Sequence, residues 1–305
     1  MGTHETEVSL EGELGLHRRY VMCTKHPDHK DFISVKDFTL QHLPAGHRDD
    51  DVFDLIATLS QLTVRVVVTF TSWARPELHP RSETAYPFYN IRGSKAMRTG
   101  SGRIWGVRKY LSDDNPCPCS SCVRSNTPSK HWGRVYIYTA THVVFDSSEG
   151  QRAKVTFGYD VDLEHSRVLD GVGEGVVSDL DRDRCVMSCV TCDAPLLDRL
   201  TDLVQHYRKV YRKVHQESAR LPSDSRLAVV ISHPHGCGKM VSVGEWTRRE
   251  KISDKMGLID TQYTYSTATC AGSSGAPVYV LGTSWYTLSH SGAGEDGNFS
   301  GGGWG

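Results

Sequence analysis

The chain has 305 residues, 35 of them basic and 36 acidic, enough for one large or two modest domains with a proper core. Near-neutral charge argues neither for nucleic acid nor for an acidic partner, and nucleic-acid binding is not expected. The opening "MGTHETEVSLEGELGLHRRY" lacks an apolar core, and no later stretch approaches the roughly 18 apolar residues that span a bilayer, so neither a secretory signal nor a membrane contact is expected. The nine cysteines are odd in number and clustered, which fits reduced thiols in an intracellular compartment, cytoplasmic or nuclear, better than a secreted disulfide framework. The sequence is also compatible with a piece of a longer polypeptide.

Taken in chain order, residues 1–96 read as an N-terminal α/β extension of unknown role. "DDDVFDLIATLSQL" predicts a short helix capped by its aspartates, "TVRVVVTFTS" a β-branched strand, and "WARPELHPRSETAYPFYN" a proline-broken loop. Over 97–193 the texture changes to short strands between Gly, Asp and Ser turns: "GSGRIWGVRKYL", "GRVYIYTATHVVF", "RAKVTFGYDVDL" and "RCVMSCV". Residues 194–222 break the pattern, with Leu196, Leu200, Leu203, Tyr207, Val210 and Val214 at a helical period, Asp193 as a start cap and Pro222 just past the end. Strands return over 223–305 in "RLAVVISHP", "KMVSVGEWT", "APVYVLG" and "SWYTLSHSG". The expected fold is mainly β: one barrel over 97–193, a second over 223–305, and a helical insertion between them.

A serine hydroxyl is a poor nucleophile until an oriented base accepts its proton. "TCAGSSGAPVYVLG" crowds Ser273 and Ser274 between glycines, "TATHVV" places His142 just after an apolar strand, and "SDLDRDRCVM" places Asp183 at the start of another. In the order His, Asp, Ser, these three segments resemble the motifs of the trypsin/chymotrypsin-fold serine peptidases: T-A-x-H, D followed by apolar residues, and G-x-S-G-x-P. "VVISHPHGCGKMVSVGEW" is similar to a strand-turn-strand of the non-secreted, high-temperature-requirement branch. The resemblance covers roughly residues 98–295 and implies a two-barrel chymotrypsin-like fold with His142 as base, Asp183 as its orienting acid and Ser274 as nucleophile. Arg184 and Cys185 depart from the acid's motif, which leaves Asp181 as the alternative acid. The motif also implies an oxyanion hole from the N–H groups of Gly272 and Ser274. The activity implied is a serine endopeptidase acting on polypeptides through an acyl-enzyme and needing no cofactor for catalysis. The alternative is a catalytically inactive barrel that serves as a protein-interaction module.

In such a fold Thr269 and His290 fall at the specificity pocket. The pairing resembles glutamyl endopeptidases and implies cleavage after Glu or Gln, since an imidazole N–H and a hydroxyl can both donate to a side-chain carbonyl oxygen. "CPCSSC" gives Cys117, Cys119 and Cys122, with His131 nearby, a spacing with zinc-ligand character. "CVMSCVTC" adds Cys185, Cys189 and Cys192, some of which alternation along a strand can turn toward the first group. Cys23, His26 and His29 form a further set, as do His233, His235 and Cys237, the latter better explained as a turn. Arg208, Lys209, Arg212 and Lys213 lie along the polar side of the long helix and read as a solvated face, with an RNA or acidic-partner contact as the alternative.

Overall fold

The structure is a computed structural model and describes residues 3–80, 83–111, 115–218, 225–255, 258–283 and 288–304. Pro222 and the first four residues of the expected strand "SWYTLSHSG" lie outside the described residues.

The chain opens with two short strands, β1 (Thr3–His4) and β2 (Glu7–Ser9), helix α1 (Glu13–Val21), and strand β3 (Ile33–Ser34). Helix α2 (Asp50–Leu62) then runs straight into β4 (Thr63–Val68). Asp49 caps α2 by accepting from the N–H groups of Asp51 (2.9 Å) and Val52 (3.1 Å), which satisfies two otherwise unpaired donors of the first turn. Next come β5 (Met97–Leu111), a turn of helix α3 (Ser120–Val123), β6 (His131–Thr139), a second turn α4 (Ser147–Gly150), β7 (Ala153–Phe157), β8 (Arg167–Asp179) and β9 (Arg184–Thr191). Pairing runs β5-β4-β7-β8-β9-β6 and returns to β5, closing a six-stranded barrel.

After the long helix α5 (Ala194–Ser218) the chain forms β10 (Leu227–Ser232), β11 (Met240–Lys255), β12 (Leu258–Tyr265), β13 (Pro277–Val280), β14 (Leu288–Gly294), β15 (Gly297–Ser300) and β16 (Gly303–Trp304). Strands β10, β11, β12, β15, β14 and β13 pair in a second closed ring. The mainly β, two-barrel chymotrypsin-like fold is therefore present, with α5 between the barrels.

Strand periodicity explains how the barrels share a core. Along β10, Val229 and Ile231 join the apolar cluster of the first barrel, while Ala228 and Val230 join that of the second, because successive side chains point to opposite faces. Helix α5 covers the first cluster with Leu196, Leu200, Val204, Tyr207, Val210 and Val214. Its basic face is exposed, and Lys213 pairs with Asp51 of α2.

The boundary expected at residue 97 does not hold. Strand β4 is an integral member of the first barrel, wedged between β5 and β7, and residues 3–9 reach both barrels: β1 pairs with β14 and β2 with β5. Few local signals mark this, since Thr3–His4 and Glu7–Ser9 are too short to show a period.

Candidate active site

The two barrels meet where the predicted residues lie. His142 follows β6 in a turn closed by Val143 and Val144 N–H donating to Ala140 O (3.1 and 3.2 Å). Asp183 sits in the β8–β9 hairpin with φ of 49°, a left-handed conformation unusual for a residue with a side chain. Ser274 lies between Gly272 (φ 94°) and Gly275 (φ 81°). A Cβ at Gly272 would come within 2.4 Å of His233 O, and one at Gly275 within 2.3 Å of Ser101 O, so both turn and close packing demand glycine.

The three side chains form a chain of hydrogen bonds. Ser274 Oγ–H donates to His142 Nε2 (2.6 Å), and His142 Nδ1–H donates to Asp183 Oδ2 (2.7 Å). The backbone N–H of His142 donates to Asp183 Oδ1 (3.1 Å), and Ser291 Oγ–H donates to Oδ2 (2.5 Å). It is thus Asp183, not the alternative Asp181, that meets the imidazole. Burial pushes the Asp183 carboxyl up, but His142, His4 and Ser291 outweigh it and hold it well below the usual carboxylate range. Burial lowers His142 to about 4 against the upward pull of Asp183. A neutral imidazole so placed can take a hydroxyl proton.

Ser273 has a different environment. Its Oγ–H donates to Ser232 Oγ (3.1 Å) and accepts from Cys270 N–H (3.2 Å), which ties down the loop.

The cleft is filled by the chain's own residues 3–9. The carbonyl oxygen of Glu5 accepts from Gly272 N–H (2.6 Å) and Ser274 N–H (3.2 Å), the two groups expected to form the oxyanion hole. The Glu5 side chain enters the pocket predicted from Thr269 and His290. His290 Nε2–H donates to Glu5 Oε2 (2.6 Å) while Tyr265 O–H donates to His290 Nδ1 (2.6 Å). Lys25 binds Glu5 Oε1, and its ammonium also lies 3.5 Å from Thr269 Oγ1 and 3.4 Å from Asn298 Oδ1. Burial raises the Glu5 carboxyl, but His290 and Lys25 together hold it down to about 2. On the preceding residue, the His4 ring lies against His142 with centroids 4.2 Å apart, and its Nδ1–H donates to Ser291 O (3.0 Å). Sequence reasoning missed Lys25, Tyr265 and Ser291, whose only signal is their place in the fold.

Behind the histidine lies a buried ion network. Glu149 accepts from Arg75 Nε and Nη2 (both 2.7 Å) and pairs with Arg98 (3.0 Å), and Arg75 Nη2 also donates to His142 O (3.1 Å).

One expected ligand set is corrected. Cys117, Cys119 and Cys122 do converge, but the fourth member is Cys192, not His131. Their ligand atoms all lie within 4.8 Å of one another, with Cys122 and Cys192 sulfurs 3.7 Å apart. His131 begins β6 with its ring exposed. Cys185 and Cys189 are buried in the first barrel's core.

Fold and site together define a two-barrel β protein with a serine, a histidine and an aspartate hydrogen-bonded at the seam. No family model matches the chain, and no curated protein matches it. Among solved structures it is similar to the active form of the Rv3671c protease from M. tuberculosis, at 15% identity and a TM-score of 0.39 over 82% of this chain and 78% of that one. It is also similar to the HtrA-type protease AlgW with decapeptide, at 13% identity and a TM-score of 0.39 over 82% of this chain and 63% of that one. The chain thus spans less than two thirds of AlgW. Likeness at these values says nothing about chemistry, which the side chains must carry.

Proposed function

We propose that this protein is a serine endopeptidase that cuts polypeptides after glutamate. The reading is carried by one observation: the residue whose hydroxyl is hydrogen-bonded to the His142–Asp183 pair, Ser274, also supplies one of two backbone N–H groups that converge on a single peptide carbonyl. His142 accepts the Ser274 proton as Oγ attacks, Asp183 fixes its tautomer, and the Gly272 and Ser274 N–H groups stabilise the oxyanion, each donor being worth about 3 kcal/mol. His142 then returns the proton to the leaving amine, and water resolves the acyl-enzyme by the same route.

Lys25 beside His290 favours glutamate over glutamine, because an ammonium gains most from a full negative charge. Incubating a peptide library with the protein, and with Ser274→Ala beside it, tests the reading. Ser274-dependent cleavage after Glu is expected. Preference for Lys, Arg or large aromatic residues would defeat the specificity, and absence of any cleavage would favour the inactive interaction module.

We also propose that Cys117, Cys119, Cys122 and Cys192 hold a structural zinc ion. Thiolates about 2.3 Å from one tetrahedral ion stand roughly 3.8 Å apart, close to the separation found. Metal analysis of the purified protein, with Cys192→Ser against His131→Ala, tests it: loss of zinc in the first alone is expected, and loss in neither overturns it.

A further inference from the structure

The chain positions one of its own peptide bonds as a substrate would be positioned. The carbonyl before that bond, Glu5 C=O, accepts from both Gly272 and Ser274 N–H. The Glu5 side chain fills the pocket with both carboxylate oxygens bound. The preceding residues run antiparallel along β14, Thr3 opposite Ala293 and His4 opposite Gly292, and the following ones pair with β5, Glu7 opposite Thr99. Extended backbone is thereby gripped on each side of the bond by a different barrel, and Ser274 Oγ is hydrogen-bonded to its base.

We propose that the Glu5–Thr6 bond is cut in cis by this site, an inference that rests on the peptidase reading above. Ser274 Oγ attacks Glu5 C as its proton passes to His142 Nε2. The C–N bond breaks, the amine of Thr6 takes that proton, and an ester joins Glu5 to Ser274. Water then attacks the ester with His142 as base, leaving a Glu5 carboxylate and restoring the hydroxyl. Water is the sole co-reactant.

Intact-mass analysis of the full chain tests this. Loss of residues 1–5 and a new N-terminus at Thr6 are expected, at a rate unchanged by dilution, with Ser274→Ala left whole. Glu5→Ala is expected to slow the cut by roughly 10- to 100-fold, the loss of charge-assisted hydrogen bonds. A separate peptide containing a glutamate, supplied to the same preparations, distinguishes the two readings. If that peptide is cut while Glu5–Thr6 stays whole, self-cleavage is overturned and the peptidase reading stands. If neither is cut, even by a chain lacking residues 1–5, the peptidase reading itself fails. A rate that rises with protein concentration overturns cleavage in cis.

A second, independent cluster points to a metal. Cys23, His29, His235 and Cys270 bring four ligand atoms within 4.8 Å of one another. Cys270 Sγ lies 3.6 Å from Cys23 Sγ and 3.7 Å from His29 Nε2. His235 Nδ1–H donates to Glu7 Oε2 (2.7 Å), while its Nε2 is buried without a hydrogen bond among the described residues. A carboxylate on the far nitrogen of a metal-binding imidazole is a recurrent arrangement, since it fixes the tautomer and leaves the other nitrogen free to ligate.

We infer a two-cysteine, two-histidine zinc site here, joining the segment that carries Lys25 to the loop that carries Ser274. It differs from both sets suggested by spacing, because each supplies only part of the cluster. Cobalt substitution of the full chain tests it without any variant: spectra of both a four-sulfur and a two-sulfur, two-nitrogen tetrahedral site are expected. Zinc content should also fall by one ion in Cys23→Ser but not in Cys237→Ser. A four-sulfur spectrum alone, or undiminished zinc in folded Cys23→Ser, overturns the inference.

Discussion

Asp183 holds the His142 imidazole only as well as its own carboxylate is held. Ser291 supplies one of its donors, at 2.5 Å, and touches none of the reacting atoms. Replacing it with alanine should therefore lower kcat by about 10-fold while leaving KM unchanged, since one hydrogen bond to a charged group is lost. Steady-state kinetics on a Glu peptide check this; a rise in KM alone would show that Ser291 serves substrate binding instead. Glu149 lies behind the site, fully buried between Arg75 and Arg98. Glu149→Ala strands two buried guanidinium groups and should destabilise the fold by about 3–5 kcal/mol, read as a lower urea midpoint. Ser274, His142 and Asp183 were legible because each sits in a short local motif. Ser291, Lys25 and Glu149 were not, because their partners lie far along the chain and no spacing announces them.

At the scale of elements, β6, β9, β10 and α5 were readable from their apolar runs or helical period. Strand β8 was not: "RVLDGVGEGVVSD" lacks clean alternation, and its glycines answer to packing instead. A Cβ on Gly171 would stand 2.3 Å from Gly150 O, and one on Gly173 2.7 Å from Ser147 O, so helix α4 lies directly against the strand. Strand β12 was equally hidden, since "LIDTQYTY" alternates with polar and aromatic residues that only closure of the second barrel buries. The loop between β5 and β6 presents the opposite case: its cysteines were visible, and their fourth partner, Cys192 just past β9, is one of three in a run whose spacing left the choice among them open. If zinc pins that loop, a strong chelator should speed proteolytic nicking between residues 115 and 130 while β5 and β6 stay protected. Limited proteolysis followed by mass spectrometry checks this, and unchanged cutting would mean that the loop is held by packing alone.

For the whole molecule, two barrels were foreseeable from the density of short strands, but not that residues 3–9 bridge them. That bridge buries titratable groups at the seam, and their linkage contributes to the acid stability. With the segment in place His142 has no exposed surface, and burial holds its pKa at about 4. An unfolded histidine titrates near 6.5, so between these values the unfolded chain binds more protons than the native one. Stability should therefore rise with pH across that window and be lost as pH falls through it, by on the order of 3 kcal/mol. Glu5 acts lower down: held to about 2 against 4.5, its contribution is complete above 4.5 and disappears on further acidification. Urea midpoints of Ser274→Ala, chosen because the proposed cut needs Ser274, should fall in both stages. Adding His142→Asn should make the first stage shallower and spare the second, the remaining slope coming from His233, which burial also lowers, whereas adding Glu5→Gln should spare the first and flatten the second. Equal slopes in all three proteins would mean that the segment leaves the seam in solution, because in the structure the His4 ring lies against that imidazole and Glu5 sits beside it in the cleft.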